Sequence, residues 1–138
     1  MNAHPIALST DSTCDSPAEM RDKYGILVVP LTIVWGDRQY LDGVELSAEQ
    51  FYERLPNEPH HPSTSQPSPE AFRRAYQQAA DSGAKEILVF TISSAMSGTV
   101  ESARQAAADF PIPVQVIDGK NNSLGLGWQV IAAARTRD

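Results

Sequence analysis

Three short apolar runs constrain the fold of this chain more than any other feature, because a polar loop and a helical pattern follow each one. They read "IALS" at residues 6–9, "EILVFTI" at 86–92 and "VQVID" at 114–118. Each run has the length and the apolar pattern of a buried strand. Strands that alternate with helices indicate a mainly parallel sheet, since a parallel connection needs a crossover. We therefore predict an α/β fold with helices on both faces of the sheet, a Rossmann-like arrangement of three layers.

Serine caps predict where three of the helices begin. A serine followed by proline, or by Glu or Gln at the third helical position, can accept hydrogen bonds from the free N–H groups of a first helical turn. The predicted N-caps are Ser16, Ser47 and Ser68. The helices that follow them are predicted at residues 17–24, 48–55 and 69–82.

Apolar spacing predicts the buried faces of the later helices. The helix after Pro69 has its face at Phe72, Ala75, Tyr76, Ala79 and Ala80. For the next helix the face is Val100, Ala103, Ala107 and Phe110. For the last helix it is Leu124, Trp128 and Ile131.

Residues 26–35, "ILVVPLTIVW", have the nearly continuous apolar character of a strand covered on both faces. Pro30 removes one backbone donor from the middle of this run. The segment is therefore either an edge strand or two strands that separate at Pro30. Gly36 and Asp37 then form a turn signal, which predicts a hairpin with "RQYLDG".

Composition excludes several classes of protein. Hydrophobic residues make up 41% of the 138 residues and charged residues 20%, which is typical of one globular domain. A formal net charge of −6 argues against nucleic acid as a partner. No apolar run approaches the ~20 residues of a membrane span. The single cysteine, Cys14, fits a reducing compartment, and we expect a cytoplasmic protein whose Cys14 is a small buried side chain.

Polar residues gather where the predicted strands end. In an open parallel sheet these ends share one edge, where ligands bind. Hydroxyls and free N–H groups at helix starts attract an anion, which here means a carboxylate or a phosphate. Each hydroxyl is also explained more simply as the cap of its own helix. The residues concerned are Thr10, Asp11, Ser12, Ser93, Ser94, Ser97, Asp118, Asn121, Asn122 and Ser123, with the loop at 60–67 as a further contributor.

Signals for catalysis are weak. "AMSGT" lacks the first glycine of a nucleophile elbow, and "GLGWQV" lacks the third glycine of a dinucleotide-binding turn. His4, His60 and His61 are the three histidines, and the adjacent pair is interpreted as a solvated loop. We therefore assign no catalytic residue, no metal and no cofactor. A phosphate-handling enzyme or phosphotransfer domain on a related α/β fold remains the alternative.

The ordered set of motifs resembles the N-terminal half of the DegV family. The segments that carry the resemblance are "TDSTCD", "VPLTIVWGDRQYLDGVELSAEQFYERL", "PSTSQPSPEAF", "ISSAMSGTVESA" and "VIDGKNNSLGLG". They extend over nearly the whole chain in the family's order. The resemblance implies that residues 1–138 form the family's N-terminal α/β domain, of the EDD fold, and that the family's C-terminal domain is absent from this chain.

The resemblance also implies a ligand, a long-chain fatty acid. In the family its carboxylate is held by hydroxyls of the T-S-Q-P and S-G-T motifs, which fall on Thr64 and Ser97 here. The neighbours Ser63, Ser65, Ser93, Ser94 and Gly98 would add donors, and Asp11 and Ser12 would support the site. Some members present the acyl chain to a fatty-acid kinase, so the implied role is that of a binding protein without catalysis of its own. An isolated half domain, with an exposed apolar wall, is also expected to form a homodimer.

Overall fold

The computed structural model describes residues 4–138 and contains a parallel sheet of four strands in the order β2-β1-β6-β7. The strands are β1 (Ile6–Asp11), β2 (Leu27–Val29), β6 (Glu86–Thr91) and β7 (Val114–Asp118). All three strand pairings in this sheet are parallel. This confirms the predicted α/β class.

A second sheet is antiparallel, and its strands lie between β2 and β6 in the sequence. It has the strand order β4-β3-β5, with β3 (Thr32–Trp35), β4 (Arg38–Leu41) and β5 (Ser63–Ser65). β3 and β4 form the predicted hairpin, which turns at Gly36 with φ of 64°. The apolar run at 26–35 is therefore two strands that separate at Pro30, and each of them belongs to a different sheet.

Five α-helices surround these sheets. They are α1 (Ala18–Tyr24), α2 (Ala48–Arg54), α3 (Pro69–Asp81), α4 (Thr99–Ala107) and α5 (Ser123–Arg137). Ser47 and Gln50 form the predicted capping box of α2, and Ser68 Oγ accepts a hydrogen bond from Ala71 N at the start of α3.

The faces of the parallel sheet are covered by different helices, which gives the predicted three layers. Leu8 and Phe90 pack with α5 residues Leu126 and Val130 on one face. On the other face Val89 packs with Phe72 of α3 and Ala103 of α4. A smaller core of Ile33, Trp35 and Leu46, with Phe51 and Leu55, lies between the antiparallel sheet and α2. Leu46 directly precedes the cap of α2, and Phe51 of α2 packs against the same cluster.

Three details predicted for the first strand and for the first and last helices are wrong. Ser16 does not cap α1: the N-cap is Pro17, whose carbonyl accepts from Met20 N and Arg21 N, while Ser16 is buried against Gly127. β1 continues past Ser9 to Asp11, because Thr10 and Asp11 still pair with Val28 and Val29.

The third error concerns α5. Leu124 and Trp128 are 50% and 55% exposed, whereas the buried face consists of Leu126, Gly127, Val130, Ile131 and Ala134. The glycine-rich start of α5 allows its close approach to the loop after β1, and this rotates the helix relative to the prediction based on large side chains. Ile131 belongs to both the predicted and the observed buried face.

Candidate functional site

Asp11, at the end of β1, connects two loops at the carboxyl edge of the parallel sheet. Its Oδ1 accepts hydrogen bonds from the backbone and hydroxyl of Thr13, and its Oδ2 accepts from Ile92 N at 2.7 Å. The side chain is fully buried. Burial raises the pKa of the Asp11 carboxyl, against the hydrogen bonds from Thr13 and Ile92, which lower it. Asp11 thereby fixes the segment that leads into Ser93.

Ser12 also connects two segments of the chain. Its Oγ accepts a hydrogen bond from Leu31 N at 3.0 Å. Leu31 follows Pro30, so this bond ties the loop after β1 to the point where β2 and β3 separate. The Ser12 hydroxyl still has its own proton to donate.

The loops after β6 and β7 are joined by hydrogen bonds. Ser93 N donates to the Asn121 carbonyl at 3.0 Å, and Ser93 Oγ accepts from Ala95 N at 3.2 Å. Ser94 N donates to Asp118 Oδ1 at 3.2 Å. Hydrogen bonding by the Ser94 side chain, and then by the Lys120 N–H, lowers the pKa of Asp118. The polar loops predicted to share an edge do meet there.

Ser97 and Thr99 form a hydroxyl pair at the start of α4. Their Oγ atoms lie 2.8 Å apart, and Ser97 Oγ also accepts from Thr99 N at 3.2 Å. Thr99 is completely buried, whereas Ser97 is half-buried. Gly98 between them is the N-cap residue of α4 and has no side chain with which to cap it. A half-buried hydroxyl therefore lies beside a helix N-terminus, where negative charge is favoured.

The "STS" segment forms an edge strand, and the prediction of residues 60–67 as a loop is wrong at this point. β5 pairs antiparallel with β3, with Thr64 opposite Ile33. The backbone groups on the side of β3 that faces away from β4 pair with residues 63–65, and this pairing orders the segment as a strand. Side chains alternate along a strand, so Thr64 projects to the face of Ile33, and Ser63 and Ser65 project to the other. All three hydroxyl side chains are exposed.

Gln66 links this strand to α4, and it is a residue that the sequence analysis did not single out. Its Nε2 donates to Ser102 Oγ at 3.1 Å, and its Oε1 occupies the space above Gly98 where a side chain would begin. Gln66 is two residues after Thr64, and Gly98 directly follows Ser97. The two hydroxyl segments are therefore neighbours in space. The signal in the sequence was the glutamine within T-S-Q-P.

Two surface clefts lie away from this contact. The larger, of about 630 Å³, has Ser12 as the one predicted site residue in its lining, together with Cys14, Arg21, Val44 and Tyr52. The smaller, of about 320 Å³, is lined by Tyr40, Glu45, Leu46, Gln50, Glu53 and Arg54. Neither cleft is lined by Thr64 or Ser97. The hydroxyls of β5 are exposed, whereas Ser97 is half-buried and Thr99 is buried.

Cys14 and the adjacent histidines are the other candidates for chemistry. Cys14 is 2% exposed within the core, and burial raises the pKa of its thiol. His60 and His61 are exposed, and the His60 carbonyl accepts from Trp35 Nε1 at 3.0 Å. Among residues 4–138 no three His, Cys, Asp or Glu side chains are grouped closely enough to share a metal ion. No helix within those residues has the length and apolar character of a membrane span.

The model of the DegV family matches residues 5–138 of this chain. The chain belongs to the DegV family. A DegV domain-containing protein of Streptomyces coelicolor is 39% identical over 139 aligned residues, which cover 100% of this chain and 48% of the relative.

Solved DegV structures share the fold. A fatty-acid-binding DegV family protein of Thermus thermophilus is 40% identical to this chain, with a TM-score of 0.85. The match covers 94% of this chain and 46% of that protein. DegV of Bacillus subtilis, a fatty acid binding protein, is 30% identical with a TM-score of 0.88, over 96% of this chain and 47% of its own. The chain therefore spans about half the length of these relatives.

Proposed function

We propose that this DegV chain contributes the carboxylate-binding part of a site for a long-chain fatty acid. The observation that carries the proposal is the contact of Gln66 with Gly98, which makes neighbours of the segments that contain Thr64 and Ser97. The fatty-acid-binding relatives with the same fold support it. Thr64 and Ser97 donate to the carboxylate, and Ser63, Ser65, Ser93, Ser94 and Gly98 surround them. Asp11 and Ser12 support the site by accepting hydrogen bonds from Ile92 N and Leu31 N.

The chemistry of the headgroup favours hydroxyls at a helix start. A carboxylate removed from water is costly unless several donors replace its hydration. The hydroxyls of Ser97 and Thr99 share one hydrogen bond, so one of their two protons is free for a ligand. The N-terminus of the nine-residue α4 adds its dipole. Charge-assisted hydrogen bonds of this kind are roughly twice as strong as neutral ones.

Affinity for such a ligand comes mainly from its tail. Each buried methylene contributes about 0.8 kcal/mol, so a long chain outweighs the few hydrogen bonds of its headgroup. The hydroxyls set the orientation of the ligand. In our proposal a second domain, outside these 138 residues, covers the tail.

The protein so described is a carrier and not an enzyme. The role we propose for it is to present the fatty acid to a kinase that phosphorylates the carboxylate, from within the cytoplasm. An isolated half domain is proposed to dimerise through the surface that a second domain would otherwise cover.

Native mass spectrometry of protein purified from cells tests the proposal. We expect a bound species with the mass of a fatty acid on the protein at its natural length, and we would compare it with the 138-residue chain. Added oleate should displace it. If the natural-length protein is empty and takes up no oleate, the proposal fails. Uptake of inorganic phosphate instead would favour the phosphate-handling alternative.

Single substitutions test which of the hydroxyls bind the carboxylate. Thr64→Val and Ser97→Ala should each weaken oleate binding by about tenfold, the value of one hydrogen bond to a charged group. The pair Ser63→Ala and Ser65→Ala lies on the opposite face of β5 and serves as a matched comparison. If that pair weakens binding more than Thr64→Val, the carboxylate lies on the other face of β5 and the role of Thr64 is wrong.

A further inference from the structure

Gln66 makes two contacts that tie the end of β5 to the beginning of α4. Its Nε2 donates to Ser102 Oγ at 3.1 Å, and Ser102 is only 3% exposed. Its Oε1 fills the space above Gly98. One side chain therefore contacts both the N-cap residue and the first turn of α4.

Gly98 is needed for this approach and not for its backbone conformation. Its φ of −80° is open to any residue. A Cβ at this position would collide with Oε1 of Gln66 and lie 3.0 Å from its Cδ. The glycine of "SGT" thus leaves room for the glutamine of "TSQP".

The three residues of β5 have few other contacts of their own, and the chain is also held before β5 at the His60 carbonyl and after it at the buried Pro67. The strand is three residues long, it is one of the two edge strands of its sheet, and it pairs with β3 alone. All three of its residues are exposed. Short exposed strands open at low free energy, because few buried contacts are lost when they do. A contact at the end of such a strand therefore has a strong effect on where its side chains lie.

We propose that Gln66 is the positioning residue of the carboxylate site, holding the strand that carries Thr64 against the segment that carries Ser97. This inference rests on the proposed function for the identity of the ligand. The coupling of the two segments is independent of any ligand.

A double-mutant cycle tests the coupling. The variants are Gln66→Ala, Gly98→Ala and the two combined, with Gln105→Ala on the exposed side of α4 as a matched control. Alanine at 98 expels the Gln66 side chain, so each single change should accelerate hydrogen exchange at the amides of residues 63–65. Loss of one hydrogen bond corresponds to about threefold to tenfold. The combined variant should exchange no faster than either single one, since the same contact is already lost.

The same variants are then measured for oleate affinity on the natural-length protein. Gln66→Ala and Gly98→Ala should each raise the Kd by about threefold to tenfold, again without additivity, while Gln105→Ala changes neither quantity. The midpoint of global unfolding should stay near that of the wild type, which a general loss of stability would not allow.

Exchange at 63–65 that is unchanged in Gln66→Ala, or effects that add in the combined variant, would overturn the positioning role. Failure of the wild type to bind oleate is a different result: it removes the proposed function, and the exchange cycle still decides whether Gln66 couples β5 to the start of α4. Faster exchange with unaltered oleate affinity would also overturn the positioning role, because the strand would then move without affecting the site.

Discussion

At the scale of single residues, the polar groups of the sheet edge divide by what their atoms already contact. Both oxygens of Asp11 accept hydrogen bonds inside the protein, and Ser12 Oγ accepts one from Leu31 N. Ser97 and Thr99 share a bond and retain a free proton between them. These differences separate residues that support the edge from those that can meet a ligand, although all are small polar side chains in the sequence.

Asp11 gives a prediction about pH. Its folded-state pKa lies above the ordinary value of 3.8 because burial disfavours the charged form. Ionisation therefore opposes folding, and the stability of the wild type relative to Asp11→Asn should be greatest below pH 3.8 and fall as the pH rises through the folded-state pKa. Each unit by which the pKa is raised corresponds to about 1.4 kcal/mol.

Urea unfolding of both proteins between pH 3 and 7 measures this difference, with Asp37→Asn in the exposed hairpin turn as the control for net charge. A relative stability that rises with pH would contradict the prediction. It would mean that the hydrogen bonds from Thr13 and Ile92 outweigh burial.

Cys14 gives a second prediction at this scale. The thiol is buried and its pKa is raised, so we expect iodoacetamide at pH 8 to label folded protein far more slowly than protein in guanidinium. Each 1.4 kcal/mol of opening free energy slows labelling by about tenfold. Mass spectrometry follows the modification, and equally rapid labelling in both conditions would show that the thiol is accessible.

At the scale of elements, caps and a proline decide where chains turn. Pro30 separates β2 from β3, and the Leu31 N–H that follows is satisfied by Ser12 and not by a strand. α2 depends on its cap to an unusual degree, because it has no buried residue of its own. Its packing on the antiparallel sheet uses the half-buried side chain of Phe51 and the Arg54 guanidinium, which lies 4.7 Å from the centroid of the Trp35 ring, and Leu55 adds to this contact directly after the helix.

Ser47→Ala should therefore lower the free energy of unfolding by about 1 kcal/mol, since it removes the acceptor of the Gln50 N–H. Ser47→Asp keeps an acceptor at the helix start and should unfold near the wild type. The fluorescence of Trp35, which contacts Phe51 with ring centroids 5.0 Å apart, reports on α2 during denaturation. Equal stability of Ser47→Ala and the wild type would show that tertiary packing alone holds this helix.

At the scale of the whole molecule, α5 reaches the loop after β1 through a glycine. A Cβ at Gly127 would lie 2.5 Å from both the Cys14 carbonyl oxygen and Ser16 Oγ. This approach determines which face of α5 is buried, and it positions the loop that follows Asp11.

Gly127→Ala should be destabilising by about 1–3 kcal/mol, because collision with backbone outweighs the better helix propensity of alanine. Gly125→Ala in the same helix meets only the Asn121 side chain, which can rotate away, and it is the matched control. Thermal or urea unfolding measures both. A Gly127→Ala variant as stable as the wild type would show that α5 can shift without cost.

Much of the fold follows from local chemistry. Short apolar runs predict β1, β6 and β7, and caps at Ser47 and Ser68 predict α2 and α3, because both patterns act over a few neighbouring residues. Repeated alternation of these elements also specifies the parallel sheet. The polar ends of the strands, and so the edge where a ligand would bind, follow directly from that topology.

Only the tertiary structure decided features that depend on residues far apart in the chain. The pairing of Ser63–Ser65 with β3, the burial of Ser16 against Gly127 and the exposure of Trp128 all follow from packing between distant segments. The contact of Gln66 with Gly98 is of the same kind, since it joins residues separated by 32 positions (98 minus 66). The sequence by itself determined which elements form and which hydroxyls stand at their ends; long-range packing determined which of those hydroxyls come together.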